Sequence, residues 1–412
     1  MAQAHDEPTA SEASRSSNSW LSERPSREET EQARIDRLGR QRPATLHSLK
    51  AEVGFVFSIC MSQVITEIFV SGFTVIVPTL LEELAIPSTS AEWPAVAFSL
   101  PIADTLLFFG RLGDMYGGYA LYLAGMAWLS IWSLFTGFSF TSSMLNVGRA
   151  MQGLGAAATL ANGVLLMGSI YRPGPRKNFV FSIYGACAVI GFFFGILIAG
   201  LAGHYVASGW YFWAGAILAL ITTLSSYFFI PSDLATKRRN NIRMDWLGTA
   251  LIASGLSMVV YAMTDSTHAS SGWRTPRIPI TFVLGSLLLA AAAYVEGWVV
   301  DSPLLPFDIF NIRSMKPLVA ALLLNYGTLG VYLFYVTQYM QIFMGASPLQ
   351  VVSWYVPMIL GGLILSIGGG FVLHLVSGRA LLVFSGAGWV GALLLFAVAP
   401  PGANYWSYTF PR

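Results

Sequence analysis

The chain has 412 residues, of which 55% are hydrophobic and 11% charged, with 23 basic against 21 acidic side chains and a mean hydropathy of +0.60. Soluble globular chains carry about 25% charged residues, so there is too little charge here to coat two or three soluble domains. A soluble enzyme and a disordered protein are both excluded. The near-balance of charge also gives no field of the kind that binds nucleic acid.

Residues 1–50 hold eight basic and eight acidic residues and one aromatic, Trp20. Such a segment cannot bury enough apolar surface to offset the entropy of ordering it, and it reads as a disordered tail with a short helix over 29–39. No signal-peptide core is present at the start of the chain. From Val53 onward, apolar runs recur at 53–77, 92–110, 118–137, 144–170, 179–201, 211–230, 246–263, 278–299, 317–342, 350–371 and 380–398. Each is about the 20 residues that a membrane-crossing helix needs. The fold class predicted is an all-α integral membrane bundle of about eleven spans. A transmembrane barrel would need short alternating segments, which are absent.

Basic residues set the orientation. With the N-terminus in the cytosol, the inside loops carry Arg111, Arg172, Arg176, Lys177, Lys237, Arg238, Arg239, Arg243, Arg313, Lys316 and Arg379, whereas Arg274, Arg277 and Arg412 fall outside. The reverse topology would invert this bias. Cys60 and Cys187 both sit inside apolar runs, which argues against a disulfide framework, and the five histidines show no metal-ligand spacing.

The loop between spans 2 and 3 reads Gly110-Arg111-Leu112-Gly113-Asp114-Met115-Tyr116-Gly117-Gly118. Its glycines permit a tight turn, and Asp114 could accept from the positive start of span 3, a contact that would form and break as a gate closes and opens. The loop resembles a signature of the major facilitator superfamily. Span 4, with Arg149-Ala150-Met151-Gln152-Gly153-Leu154-Gly155, resembles that superfamily's span-4 signature. Span 5 carries Gly185, Gly191 and Gly195 and is similar to the antiporter signature, but Ile196 stands where that signature has proline. Gly153, Gly155, Gly185, Gly191 and Gly195 are read as helix-packing glycines. With Asp245-Trp246-Leu247-Gly248, Gly272-Trp273 and Pro303-Leu304-Leu305-Pro306, the chain is similar to the fourteen-span drug:proton antiporter branch of fungal type.

That resemblance implies a plan: a cytosolic tail over 1–50, a six-helix half over 51–232, a two-helix insertion over 233–300 and three helices of a second half over 301–412. An incomplete transporter is therefore expected, with residues 403–411 as an external loop. The gating motif would be Gly110, Arg111, Gly113, Asp114 and Gly117.

Charge inside hydrocarbon is costly and marks pathways or proton sites by default. Glu67, Arg149 and Asp104 are the candidates. Glu67 lies fourteen residues from one edge of its run, and Arg149 five from the opposite edge of its own, which places both at roughly 21–22 Å depth at 1.5 Å per residue. The superfamily groups spans 1 and 4 around a central cavity, so an ion pair between Glu67 and Arg149 is expected, with Asp104 as a second proton site. Gln63, Gln152, Asn325, Tyr326, Tyr332 and Gln338 are read as lining a substrate cavity, although packing also accounts for the tyrosines. Glu296 is read as structural.

The function implied is proton-coupled transport of small organic compounds, in the outward direction. Proton-coupled nutrient uptake (ammonium, a polyamine, a siderophore) and a non-transporting membrane sensor are the alternatives. No phosphate-binding Gly-rich loop is present, and no cofactor or metal is expected. The partners implied are a small organic substrate, protons and lipid, with the chain monomeric when complete, in the plasma or the vacuolar membrane.

Overall fold

The computed structural model describes residues 37–87, 90, 92–233, 243–269, 271–300, 302–312, 314–372 and 378–397. Among them there is no strand. Eleven long helices follow in order: α1 Leu49–Glu83, α2 Trp93–Tyr116, α3 Gly118–Thr136, α4 Ser142–Ile170, α5 Pro175–Tyr205, α6 Gly209–Phe229, α7 Trp246–Ser266, α8 Arg277–Tyr294, α9 Met315–Gln338, α10 Pro348–Val372 and α11 Gly378–Ala397. Each coincides with one predicted apolar run. Ten are long and apolar enough to cross a membrane, with α8 continuing to Val299 and α9 to Phe343, and Gly378–Leu394 is a shorter apolar helix. The external loop expected at 403–411 lies outside the described residues.

Local chemistry explains the helix ends. Ser48, Thr141 and Asp245 precede α1, α4 and α7, and each side chain accepts a backbone N–H of the first turn. Pro175 opens α5, where its missing N–H costs nothing. Gly117, at φ 98°, turns the chain between α2 and α3.

The helices α1 to α6 pack around α1 and α4, whose apolar residues Ile65, Phe69, Phe73, Ala156 and Leu166 are buried. Small residues set the distances. A Cβ on Gly191 would stand 2.6 Å from the Val64 carbonyl oxygen, and one on Gly155 would stand 2.9 Å from that of Gly125. α7 and α8 form a hairpin whose close crossing is at Gly255 and Gly285. The hairpin docks on α2 along its length, through Trp93 against Tyr261 at 5.8 Å and Phe108 against Trp246 at 6.0 Å. α10 packs on α5, with Phe192 edge-on to Tyr355, and Tyr355 shares a 2.8 Å hydrogen bond with Thr337 of α9. Tyr332 of α9 meets Trp389 of α11 at 5.8 Å. Large apolar side chains such as Phe228, Leu323 and Phe343 point outward, as a lipid-facing surface requires.

The reading of a disordered tail through residue 50 is corrected over 37–50. Residues 37–40 are helical, and Leu46 is buried. Glu52, just inside α1, accepts from Arg42 at 3.3 Å and from Arg176 Nε at 2.7 Å, and Arg176 also donates to the Arg40 carbonyl at 3.1 Å. A carboxylate at the helix start recruits basic side chains, and these hold the preceding segment against the start of α5. The rest of the tail, and of the helix expected at 29–39, lies outside the described residues.

Candidate functional site

The membrane-embedded charges are placed by α1, α2 and α4. Gln63 and Glu67 are one turn apart on α1, and Gln63 Nε2 donates to Glu67 Oε1 at 3.0 Å. Both side chains are half-buried. Glu67 faces α5, because a Cβ on Gly191 would come within 2.8 Å of its own Cβ.

The expected Glu67–Arg149 ion pair does not form. Arg149 is 1% exposed. Its Nε donates to the Pro94 carbonyl at 3.2 Å and its Nη2 to the Phe69 carbonyl at 3.1 Å. The guanidinium lies 4.1 Å from the ring centre of Phe73 and 4.4 Å from that of Phe98. It is caged by carbonyl dipoles and aromatic faces, a cation–π arrangement that keeps its charge in a dry site. The physical reason is azimuth. Positions 67 and 69 are separated by about 200° around an α-helix, so the face of α1 that receives Arg149 is opposite the one carrying Glu67. Nη1 of Arg149 is buried without a hydrogen-bond partner.

Asp104 belongs to a different contact. Ser257 of α7 donates to its Oδ2 at 2.5 Å, and its Oδ1 is buried without a partner. The carboxyl therefore joins α2 to the α7–α8 hairpin and is not brought together with Glu67.

The loop motif is also rearranged relative to expectation. The acceptor at the start of α3 is Asp233, whose Oδ2 takes the Gly118 N–H at 2.9 Å and whose Oδ1 takes that of Tyr119 at 3.2 Å. Asp114 is half-buried in the last turn of α2 and is not that acceptor. Arg111 donates instead to two carbonyls, that of Arg243 through Nε at 3.1 Å and that of Ser302 through Nη2 at 3.1 Å. Those carbonyls flank the α7–α8 hairpin on either side. Gly113 is required by contact, since a Cβ there would overlap Asn162, whose Nδ2 donates to the Phe109 carbonyl at 3.2 Å. Gly110 is more open, its nearest neighbour being Ala161 at 3.9 Å.

Of the packing glycines, Gly153, Gly155, Gly191 and Gly195 each face backbone of a neighbouring helix. Gly185 does not, as nothing lies within 4 Å of the space a Cβ would take. The cavity residues separate. Gln152 is fully buried and donates to Ser133 Oγ at 2.9 Å, so it ties α4 to α3. Asn325 donates to the Ala321 carbonyl of its own helix at 2.8 Å. Tyr326 is 72% exposed and is not enclosed by the described residues. Tyr332 packs on Trp389, and Gln338 is half-buried at the end of α9. Sequence reasoning missed Asp233, Asn162 and Gln341, whose Nε2 reaches the Val75 carbonyl of α1 at 3.5 Å. The only available signal was for Asp233, an acidic residue just beyond the sixth apolar run.

Comparison with known proteins agrees with this architecture. A family model described as Major Facilitator Superfamily matches residues 59–411. The chain is 31% identical over 371 residues to Efflux pump terJ of Aspergillus terreus, covering 88% of this chain and 71% of that protein. It is 29% identical over 373 residues to the Low affinity ammonium transporter of Saccharomyces cerevisiae, covering 88% and 71%. A crystal structure of a mutant peptide transporter POT in complex with sulfate matches with a TM-score of 0.56 at 16% identity, over 86% of this chain and 78% of that one, a likeness of fold. With the signature loop, the span-4 motif and the helix order on the same chain, this protein belongs to the Major Facilitator Superfamily and is an integral membrane transporter, not an enzyme.

Proposed function

We propose that the chain is a proton-coupled transporter that exports small organic compounds, with Glu67 as the group that takes and releases the proton. The observation that carries the proton role is the isolation of Glu67. Its carboxyl sits about midway along a 35-residue helix, hydrogen-bonded to the uncharged Gln63, with no ion pair to it among the described residues. A carboxyl in low dielectric without a cation gains or loses a proton at modest cost, whereas a paired one is held ionised. Gly191 and Gly195 bring α5 onto the same stretch of α1, so a change of charge at Glu67 bears directly on that helix contact.

The similarity to an efflux pump supports outward transport of an organic molecule. The basic loops support a cytosolic N-terminus; the plasma membrane is the favoured site by resemblance to the family, with the vacuolar membrane as the alternative. The hairpin α7–α8 is read as an insertion between a six-helix half and the helices that begin with α9, and the chain as a monomer. A second reading, proton-coupled uptake of ammonium or a similar nutrient, has the similarity to an ammonium transporter in its favour. Sealed vesicles with an imposed pH gradient decide between them. Export predicts accumulation of cationic dyes or fungal metabolites in inside-out vesicles, driven by the gradient and lost in Glu67→Gln. Gradient-driven ammonium or methylammonium entry without dye movement would establish uptake instead.

A further inference from the structure

We infer that the inserted hairpin carries a second proton-binding site, an acid pair formed by Asp245 and Glu296 that holds one proton between its two carboxyl groups. This site is separate from Glu67 and does not depend on the export reading.

Asp245 precedes α7, and Glu296 lies in the π turn Val295–Val299 that ends α8. Each residue is 5% exposed. One oxygen of each is satisfied by backbone: Asp245 Oδ1 accepts the Gly248 N–H at 2.8 Å, and Glu296 Oε2 accepts the Leu305 N–H at 3.0 Å. The other oxygens, Asp245 Oδ2 and Glu296 Oε1, are buried without a hydrogen-bond partner. They face each other, because a single Cβ built on Gly248 would overlap both. Position 248 must be glycine for the pair to meet.

Two ionised carboxylates cannot share so small a buried space, since their repulsion is poorly screened and neither of the two facing oxygens has a donor. One proton placed between the two oxygens removes the repulsion and supplies the missing donor, so the two carboxyl groups act as a unit. The charged groups around it do not replace that proton. Arg111 of α2 is committed to the carbonyls of Arg243 and Ser302, Arg243 and Asp308 are exposed, and no described cation forms an ion pair with either acid. Lys316 lines a cavity of about 560 Å³ that also borders Glu296, together with Leu289, Leu305 and Asn311. That cavity offers the proton a route to the pair.

The consequence is local and mechanical. Glu296 holds the segment after α8 through Leu305, three residues beyond the carbonyl that Arg111 holds. Loss of the shared proton turns the pair repulsive and weakens the seat of this segment on the hairpin.

Thermal melts of the full 412-residue chain in detergent, from about pH 5.5 to about pH 9, test the site through proton linkage. A group that holds its proton more tightly when folded contributes stability at low pH and loses it as pH rises, so unaltered protein should lose melting temperature toward the alkaline end. Glu296→Gln and Asp245→Asn replace the proton by an amide N–H, and each should flatten that loss. Variant and parent curves that fall in parallel would overturn the proposal. A second measurement needs no variant: amide exchange of residues 302–312, corrected for its intrinsic pH dependence, should lose protection as pH rises. Protection that stays constant across the range would equally overturn it.

Discussion

Arg149 reaches the carbonyl of Phe69, two residues from Glu67, at 3.1 Å and makes no ion pair with Glu67. The two charges are separated by the body of α1. This relationship divides a cation held by carbonyls and aromatic rings from a carboxyl held by Gln63.

Arg149→Ala is expected to destabilise the protein by on the order of 2–3 kcal/mol, because the carbonyls of Phe69 and Pro94 lose their donor in a dry site. With no direct pairing, the Glu67→Gln/Arg149→Ala double variant should show the sum of the single effects within about 0.5 kcal/mol. Melting curves of the four proteins measure this coupling. A coupling well above that value would restore the ion pair.

Glu67→Gln should leave folding intact, since a carboxamide keeps the hydrogen bond to Gln63. Flux driven by a pH gradient should fall roughly tenfold or more, equivalent to at least ~1.4 kcal/mol, while substrate binding stays measurable. Normal gradient-driven flux in this variant would remove Glu67 from the coupling role.

Asp233→Ala should cost about 1 kcal/mol, the usual worth of an acidic acceptor at a helix start. Amide exchange localises the effect, with the N–H groups of Gly118 and Tyr119 exchanging faster. Asp233→Asn should fall between the two, retaining an acceptor oxygen and losing the charge. Asp114→Ala should leave those two amides unchanged.

Gly191→Val should separate α1 from α5, because the added side chain meets the backbone of Val64, which cannot move aside as a flexible side chain would. Gly185→Ala meets nothing within 4 Å and should shift stability by no more than about 0.5 kcal/mol. Expression level and melting temperature of the pair test whether the span-5 glycines act by packing alone.

Removal of the first 36 residues should leave the described fold intact, whereas removal through residue 47 should lower the melting temperature. The second deletion takes Arg42 from Glu52 and Leu46 from the core. Arg176→Ala should have a similar effect, on the order of 2 kcal/mol, because it leaves a largely buried carboxylate with the more exposed Arg42 as its remaining cation.

The number, order and ends of the helices were legible in the sequence because they depend on local and additive quantities. A run of about 20 apolar residues must be helical in hydrocarbon, where every N–H and C=O needs a partner, and Ser48, Thr141, Asp245 and Gly117 mark boundaries through contacts within a few residues. Membership of the family was legible for the same reason, from short motifs at the right places between runs. Azimuth was not. Whether Glu67 meets Arg149, whether Asp104 faces a cavity or Ser257, and whether Asp114 or Asp233 caps α3 depend on how each helix is rotated and on which distant loop folds back. Those are decided by close packing at Gly153, Gly191 and Gly195 and by the docking of α7 and α8 on α2. Only the tertiary structure joins Asp245 to Glu296 across fifty residues, because side chains that far apart in the chain meet only when two helix ends are brought together over a glycine.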